Sequence, residues 1–330
     1  MPQVEIDVDE SLVRRLLGSL PDHLAHLRGA PVERVATGWD NSVWRLGSDA
    51  SAEYAVRIPV RAAAAPMIET ATAWVAAASE PLREHGITVP VPIHCGPPTA
   101  GLPWSWSLVT WVPGTLLSEH PVAHRAPAAL ALAQSLPHFH RPASPAAPVS
   151  ASRGVPLASR RHLITRSEPG AREVLGNRVV GDLLAIIAAA EAAPAWPHAP
   201  TWCHGDLHDR NLTLHRRTTR QGPGCATGAA HPADTGGRRA GATVGVLDFD
   251  DLTRGDPAVD LRVLWIAFDE PTRAQAMARL EASGAYDPAI WIRARGWAAA
   301  SFVLPVAADA EGRELFAAAI AHTCRELSGR

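Results

Sequence analysis

Behind Asp9, the apolar residues Leu12, Val13, Leu16 and Leu17 recur at helical spacing, and Pro21 interrupts the pattern before His23–Leu27 resumes it. A leading helix is predicted there. From Val32 the period shortens: Val32 and Val35, the turn-prone Thr37-Gly38-Trp39-Asp40-Asn41, Val43-Trp44-Arg45-Leu46, a Gly47-Ser48-Asp49 turn, then Tyr54-Ala55-Val56-Arg57-Ile58. Three short strands joined by turns account for this stretch. Met67–Glu84, alanine-rich with Ile68, Trp74, Val75 and Leu82, predicts a helix. Two further strands are expected around Val89–His94 and Ser105–Val112, stopped by Pro113-Gly114.

Beyond Gly114 the pattern is mainly helical, clearest over Ala128–His140 and Val179–Ala192, with a Pro/Ala/Ser loop at Arg141–Ser152. Leu212 and Leu214 alternate like a short strand, and Thr243–Phe249 reads as another. Between them, residues 216–242 are rich in Gly, Arg, Thr and Ala and hold too little apolar surface to order themselves. A mobile excursion from a hairpin is predicted. From Pro257 to Glu326 the chain returns to helices, with Trp265, Trp291 and Trp297 on faces expected to be buried.

At 330 residues the chain exceeds what one core organises, since single cores stop growing at roughly 250–300 residues, so two lobes are expected. Its 31 basic residues are all arginine, set against 33 acids for a net charge of −2. They are spread along the chain with acids between them, which gives no basic stripe for nucleic acid. Without lysine there is neither a Walker A loop nor a Schiff-base lysine, so phosphate binding rests on arginine and backbone N–H groups. Cys95, Cys203, Cys225 and Cys324 stand singly, which suggests neither a zinc ribbon nor a disulfide framework and fits a reducing cytoplasm. An acidic start and a longest apolar run of only Leu183–Ala190 predict neither a signal peptide nor a membrane span.

Chemistry concentrates in Trp202-Cys203-His204-Gly205-Asp206-Leu207-His208-Asp209-Arg210-Asn211, followed further on by Val246-Leu247-Asp248-Phe249-Asp250. Phosphoryl transfer needs one carboxylate facing the incoming hydroxyl, and oxygen ligands that hold Mg²⁺ against nucleotide phosphates. Asp206 suits the first role, and Asn211 and Asp248 the second.

In these residues the chain resembles the aminoglycoside phosphotransferase family of small-molecule kinases, whose HGDxxxxN loop and IDF-type metal aspartate are matched in order and spacing. Gly38-Trp39-Asp40-Asn41, Val56-Arg57-Ile58-Pro59, Pro103-Trp104-Ser105-Trp106, Trp111-Val112-Pro113-Gly114 and Gly255-Asp256-Pro257-Ala258-Val259-Asp260-Leu261 extend the likeness over most of the chain. It implies an α+β, two-lobed protein-kinase-like fold, with a small antiparallel-sheet N-lobe over 1–112 and a larger helical C-lobe over 113–330. It implies Mg²⁺ as cofactor and ATP or GTP as donor. Asp206 becomes the catalytic base or hydroxyl-orienting group, with Asn211 and Asp248 as metal ligands. Arg57 takes the strand position where protein kinases keep a lysine on the phosphates, with Glu69, or in reserve Glu80, as its helix partner. The backbones of Thr110 and Val112 face the nucleotide base beside Val109, and Asn41 and Ser42 sit in the turn over the phosphates. His204 and Asp260 support the catalytic loop. Asp209-Arg210 and Asp250-Asp251 depart from the usual family residues at their positions.

The expected partners are a nucleotide and a small-molecule acceptor, with no nucleic acid, membrane or protein partner inferred. The acceptor is expected to be an antibiotic of aminoglycoside or macrolide type, or an amino sugar or amino alcohol. A polycation needs carboxylates, and the C-terminal helices supply Asp269 and Glu270 as candidates. Two other readings stand beside this one: a nucleotide-binding pseudokinase, and a zinc hydrolase on His204 and His208.

Overall fold

The chain first builds a curved sheet backed by a short helix. The computed structural model describes residues 4–38, 40–48, 52–216, 242–306 and 320–327. Helix α1 (Glu10–Gly18) begins where the Asp9 carboxylate accepts the Leu12 N–H at 2.8 Å, a cap for one of the free amides of its first turn. Its buried Leu12, Val13, Leu16 and Leu17 pack on strands β1 (Val32–Thr37), β2 (Asn41–Leu46) and β3 (Tyr54–Pro59) through Trp44, Leu46, Val56 and Ile58.

Where one helix is predicted over Met67–Glu84, the structure has two, α2 (Ala65–Ala78) and α3 (Glu80–Glu84). The break falls at Ser79, whose hydroxyl donates back to the Val75 carbonyl at 2.6 Å just before Pro81. Strands β4 (Ile87–Thr88), β5 (Pro92–Gly96) and β6 (Trp106–Thr110) follow. The first sheet runs β1-β2-β3-β6-β5, antiparallel throughout, and lies wholly before residue 112.

Then come β7 (Thr115–Leu116), α4 (Ala126–Phe139), α5 (Arg161–Leu175), α6 (Asn177–Ala192), β8 (Thr201–Cys203), β9 (Leu212–Arg216), β10 (Ala242–Val246), β11 (Thr253–Gly255), α7 (Ala258–Leu261), α8 (Val263–Ala267), α9 (Glu270–Ala282) and α10 (Ile290–Val306). A second sheet has the order β4-β10-β9-β7, and β11 pairs with β8. Strand β4 runs parallel to β10, Val244 opposite Ile87, and so stitches the two halves together. The largest core joins α2 and α3 to the helical body through Val75, Leu82, Leu132, Phe139, Leu264 and Phe268. Each such side chain, once buried, contributes on the order of 1.5–3 kcal/mol.

Strands β9 and β10 form the expected hairpin, with Val246 opposite Leu212. Apart from its first and last residues, the predicted mobile insert 216–242 lies outside the described residues, as does Trp39. No helix among the described residues is long and apolar enough to cross a membrane.

Candidate active site

The loop after β8 is shaped by one buried carboxylate. Asp260, at the end of the helical segment Ala258–Leu261, accepts the backbone N–H groups of His204 at 2.7 Å and Gly205 at 2.8 Å, and lies 3.2 Å from His140 Nε2. Burial opposes its charge, yet these donors hold its carboxyl below the usual range. Gly205 has φ +87°, and a Cβ there would stand 2.4 Å from the Asp251 carbonyl oxygen, so only glycine fits. His204 Nε2 pairs with the Leu247 carbonyl at 2.7 Å, while its Nδ1 accepts the Asp206 N–H at 3.2 Å. Those two bonds fix one neutral tautomer, and burial, ahead of opposing neighbours, keeps the ring's pKa below the ordinary histidine value.

This arrangement removes the zinc reading. Gly205 breaks any helix between His204 and His208, and both ring nitrogens of His204 already serve the backbone. His208 Nδ1 accepts the Arg210 N–H at 3.1 Å, and its Nε2 faces Asp206 Oδ2 at 3.5 Å.

Asp206 therefore leaves the loop with its carboxylate presented to charged neighbours. Its Oδ1 receives Arg262 Nη2 at 2.6 Å and Arg153 Nη2 at 3.0 Å. Burial raises its pKa, but His208, Arg153 and Arg262 together hold it well below the carboxylate range. Arg153 also reaches Asp251 Oδ2, at 2.9 Å, which fastens the Asp206 loop to the segment after β10.

Asn211 is buried, and its Nδ2 donates to the Asp206 carbonyl at 3.0 Å, which fixes the side chain and leaves Oδ1 as the atom that could ligate a cation. Asp248 follows β10 in the left-handed region at φ 58°, the only non-glycine residue with positive φ among the described residues. The strand predicted over Thr243–Phe249 ends at Val246, two residues before this left-handed position. Desolvation, then the charges of Asp250 and Asp206 against the opposing pull of Arg57, push the Asp248 pKa up to about 8. Once ionised, this carboxylate and the Asn211 amide oxygen are hard oxygen donors of the kind that Mg²⁺ takes, and a dication bound there would relieve the repulsion.

From the first sheet, Arg57 Nη2 reaches Asp250 at 2.8 Å and Asp248 at 3.6 Å, and Asn41 Nδ2 donates to Asp250 Oδ2 at 2.8 Å. Glu69 is not the partner of Arg57: it is exposed and accepts from Ser105 Oγ at 3.2 Å, and Glu80 is exposed as well. Ser42 is also placed differently from a phosphate-covering turn residue. It lies inside β2, fully buried, and its Oγ accepts the Trp44 indole N–H at 2.9 Å. In the inter-lobe segment the Thr110 N–H donates to the Val91 carbonyl at 2.9 Å, so it does not face a base. Val112, outside the strand that holds buried Val109, has no backbone hydrogen bond among the described residues. Asp269 caps α9 by accepting the Thr272 N–H at 3.1 Å, and Glu270 is exposed in its first turn. Among the described residues neither contacts Asp206.

Several site residues were missed in the sequence. Asp250 stands out in the sequence only as a departure from the family pattern after Asp248. Arg153 and Arg262 carried no motif, and Arg125, which pairs with Asp209 at 3.1 Å inside the protein, is far from it in the chain.

Residues 31–224 match the phosphotransferase enzyme family APH. The chain belongs to this family. Membership assigns the reaction class, phosphoryl transfer to an alcohol group. Solved structures agree in fold. The GDP and kanamycin complex of APH(2")-IIia is 17% identical with TM-score 0.61, over 97% of this chain and 96% of the other. Macrolide 2'-phosphotransferase MphH from Brachybacterium faecium is 16% identical with TM-score 0.54, over 96% and 99%. APH(3'')-Id from Streptomyces rimosus is 18% identical with TM-score 0.54, over 90% and 99%. No curated protein matches the chain.

Proposed function

We propose that this phosphotransferase moves the γ-phosphoryl group of ATP or GTP, with Mg²⁺, to a hydroxyl of a small molecule. The observation that carries the reading is the Asp206 carboxylate, held ionised on a loop that also fixes Asn211 and faces Asp248. In the transfer the acceptor oxygen forms a bond to Pγ, the bond from Pγ to the β,γ-bridging oxygen breaks, and the nucleoside diphosphate leaves. The acceptor's hydroxyl proton passes to Asp206. With its Oδ1 engaged by two arginines and its Oδ2 facing only His208 Nε2 at 3.5 Å, Oδ2 is the oxygen that orients the hydroxyl. A pKa held this low suits orientation more than early proton abstraction, which a loose transition state does not need.

Asp248 and Asn211 Oδ1 would hold Mg²⁺, which when bound neutralises the charge of the nucleotide phosphates. Arg57 would meet those phosphates in place of a lysine, with the fork geometry that suits them. The backbone of Val112 offers a donor and an acceptor to the base. Closure of the first sheet over the site would exclude water from the γ-phosphate.

The test is Mg²⁺-dependent nucleotide consumption with ATP and GTP against aminoglycosides, macrolides, amino sugars and amino alcohols, with Asp206→Asn as control. The expected result is acceptor-dependent consumption that the variant loses by about 100-fold or more while still binding nucleotide. Nucleotide binding without turnover on any acceptor of this panel points instead to an acceptor outside it or to a pseudokinase. Protection of bacteria from an antibiotic acceptor is the cellular counterpart.

A further inference from the structure

Three arginines stand beside the catalytic loop, and their charges are unequally matched. Arg153 and Arg262 both donate to Asp206 Oδ1, and Arg153 reaches Asp251 as well. Two guanidinium groups thus meet two carboxylates. Arg160 is the third. It ends the 3₁₀ turn Leu157–Arg160, donates through Nη1 to the Ser152 carbonyl next to Arg153, and lies 6.0 Å from the Trp297 ring centre. Trp297 and Ser301 are one turn apart on α10, and Ser301 Oγ accepts from Arg262 Nη1 at 2.9 Å. Arg160 and Arg262 therefore flank the same turn of helix.

Among the described residues no carboxylate pairs with Arg160, and its Nε is buried without a hydrogen-bond partner. An unmatched, half-buried guanidinium is costly, and an oxyanion is the group that best offsets it. Burial first, then the like charges of Arg153 and Arg262, outweigh the pull of Asp251 and hold its pKa below the ordinary arginine value. Several acids of the helical half are meanwhile engaged. Asp209, Asp256, Asp287, Glu191 and Glu326 each carry an arginine.

Resting on the phosphotransferase reading above, we propose that the acceptor is a hydroxyl compound that also bears an oxyanion, carboxylate or phosphate, which Arg160 binds beside Asp206. A cationic acceptor meets three arginines there instead, and like charges brought together in a partly dry site repel.

Two titrations of the full chain, read by thermal shift, separate this proposal from the reading beneath it. The first uses Mg²⁺ with a non-hydrolysable ATP or GTP analogue, and failure of any saturable shift counts against the phosphotransferase reading alone. The second uses D-gluconate, glucose 6-phosphate and kanamycin, each with and without that analogue, on the natural protein, Arg160→Gln and Arg160→Lys. At least one of the two anions is expected to give a saturable shift, weakened about tenfold or more in Arg160→Gln and partly kept in Arg160→Lys. Gluconate against glucose 6-phosphate tells carboxylate from phosphate. Saturable kanamycin binding indifferent to Arg160, equal anion binding in Arg160→Gln, or no saturable anion shift would each overturn the proposal.

Discussion

Arg57 Nη2 donates to both carboxylate oxygens of Asp250, at 2.8 and 2.9 Å. Burial weakens the cation, but Asp250 and Asp248 outweigh it and raise its pKa above the ordinary value. A nucleotide phosphate must therefore compete with Asp250 for the same guanidinium. Arg57→Ala is expected to weaken Mg²⁺–nucleotide binding about tenfold or more. Asp250→Asn, which removes the competitor, is expected to strengthen it. Calorimetric titration of both variants decides the matter, because equal weakening by both substitutions would mean that Asp250 helps to bind the nucleotide.

The catalytic loop turns where glycine alone is tolerated. A Cβ at residue 205 would press on the Asp251 carbonyl at 2.4 Å, and Asp251 is also tied to Arg153. Gly205→Ala is expected to destabilise the fold by about 1–3 kcal/mol through backbone strain. It should lower turnover further still, because the same displacement moves Asp206. Urea unfolding together with kcat on the same preparation tests this, and a variant with natural stability and turnover would contradict the geometry.

The short-range parts of this site were legible in the chain. Asp206 and Asn211 share one loop, and Asp9 before an apolar helical repeat is a cap that sequence alone can suggest. The pairing of Arg57 was not legible, since Asp250 lies 193 positions away and only the closing of the first sheet on the 248–251 segment brings them together. Ser42 misled for another reason. In a turn its polarity suggests exposure, but in β2 the strand's alternation turns it inward, where the Trp44 indole supplies its hydrogen bond. Arg153 and Arg262 are ordinary arginines by composition, and only the tertiary fold sets both on one carboxylate oxygen.

His204 makes stability depend on pH. The folded state holds the ring neutral, with Nε2–H on Leu247 and Nδ1 accepting the Asp206 N–H, so a second proton at Nδ1 would face that donor. Its folded pKa lies below the ordinary 6.5, and the unfolded chain therefore binds more protons between the two values. Stability from this group is complete above 6.5, is lost as pH falls from there towards the folded pKa, and changes no further below it. His94 and His322 are shifted in the same direction, so the contribution of His204 is isolated by comparison with His204→Gln. The midpoint of thermal unfolding should drop less between pH 7.5 and pH 5.5 in the variant than in the natural protein. Parallel curves would refute the assignment.

Arg125 anchors the loop from beneath, and its two ends are not equivalent. Nη1 meets Asp209 Oδ2 and the Ala267 carbonyl, both at 3.1 Å, Nε meets the His120 carbonyl at 2.9 Å, and Nη2 meets that of Ser118 at 3.2 Å. Removing the arginine strands a buried carboxylate and three carbonyls, whereas removing Asp209 leaves a guanidinium that keeps three acceptors. Arg125→Ala is therefore expected to cost about 3–5 kcal/mol of stability, and Asp209→Ala less. The double variant should lose at least about 1 kcal/mol less than the sum, because the pair is counted once in each single change. Asp209 lies between Asp206 and Asn211, and the Ser118 N–H also holds its carbonyl at 3.0 Å, so turnover should fall in all three proteins. A double-mutant cycle by urea unfolding measures the coupling, and strict additivity would show that the two residues do not act as a pair.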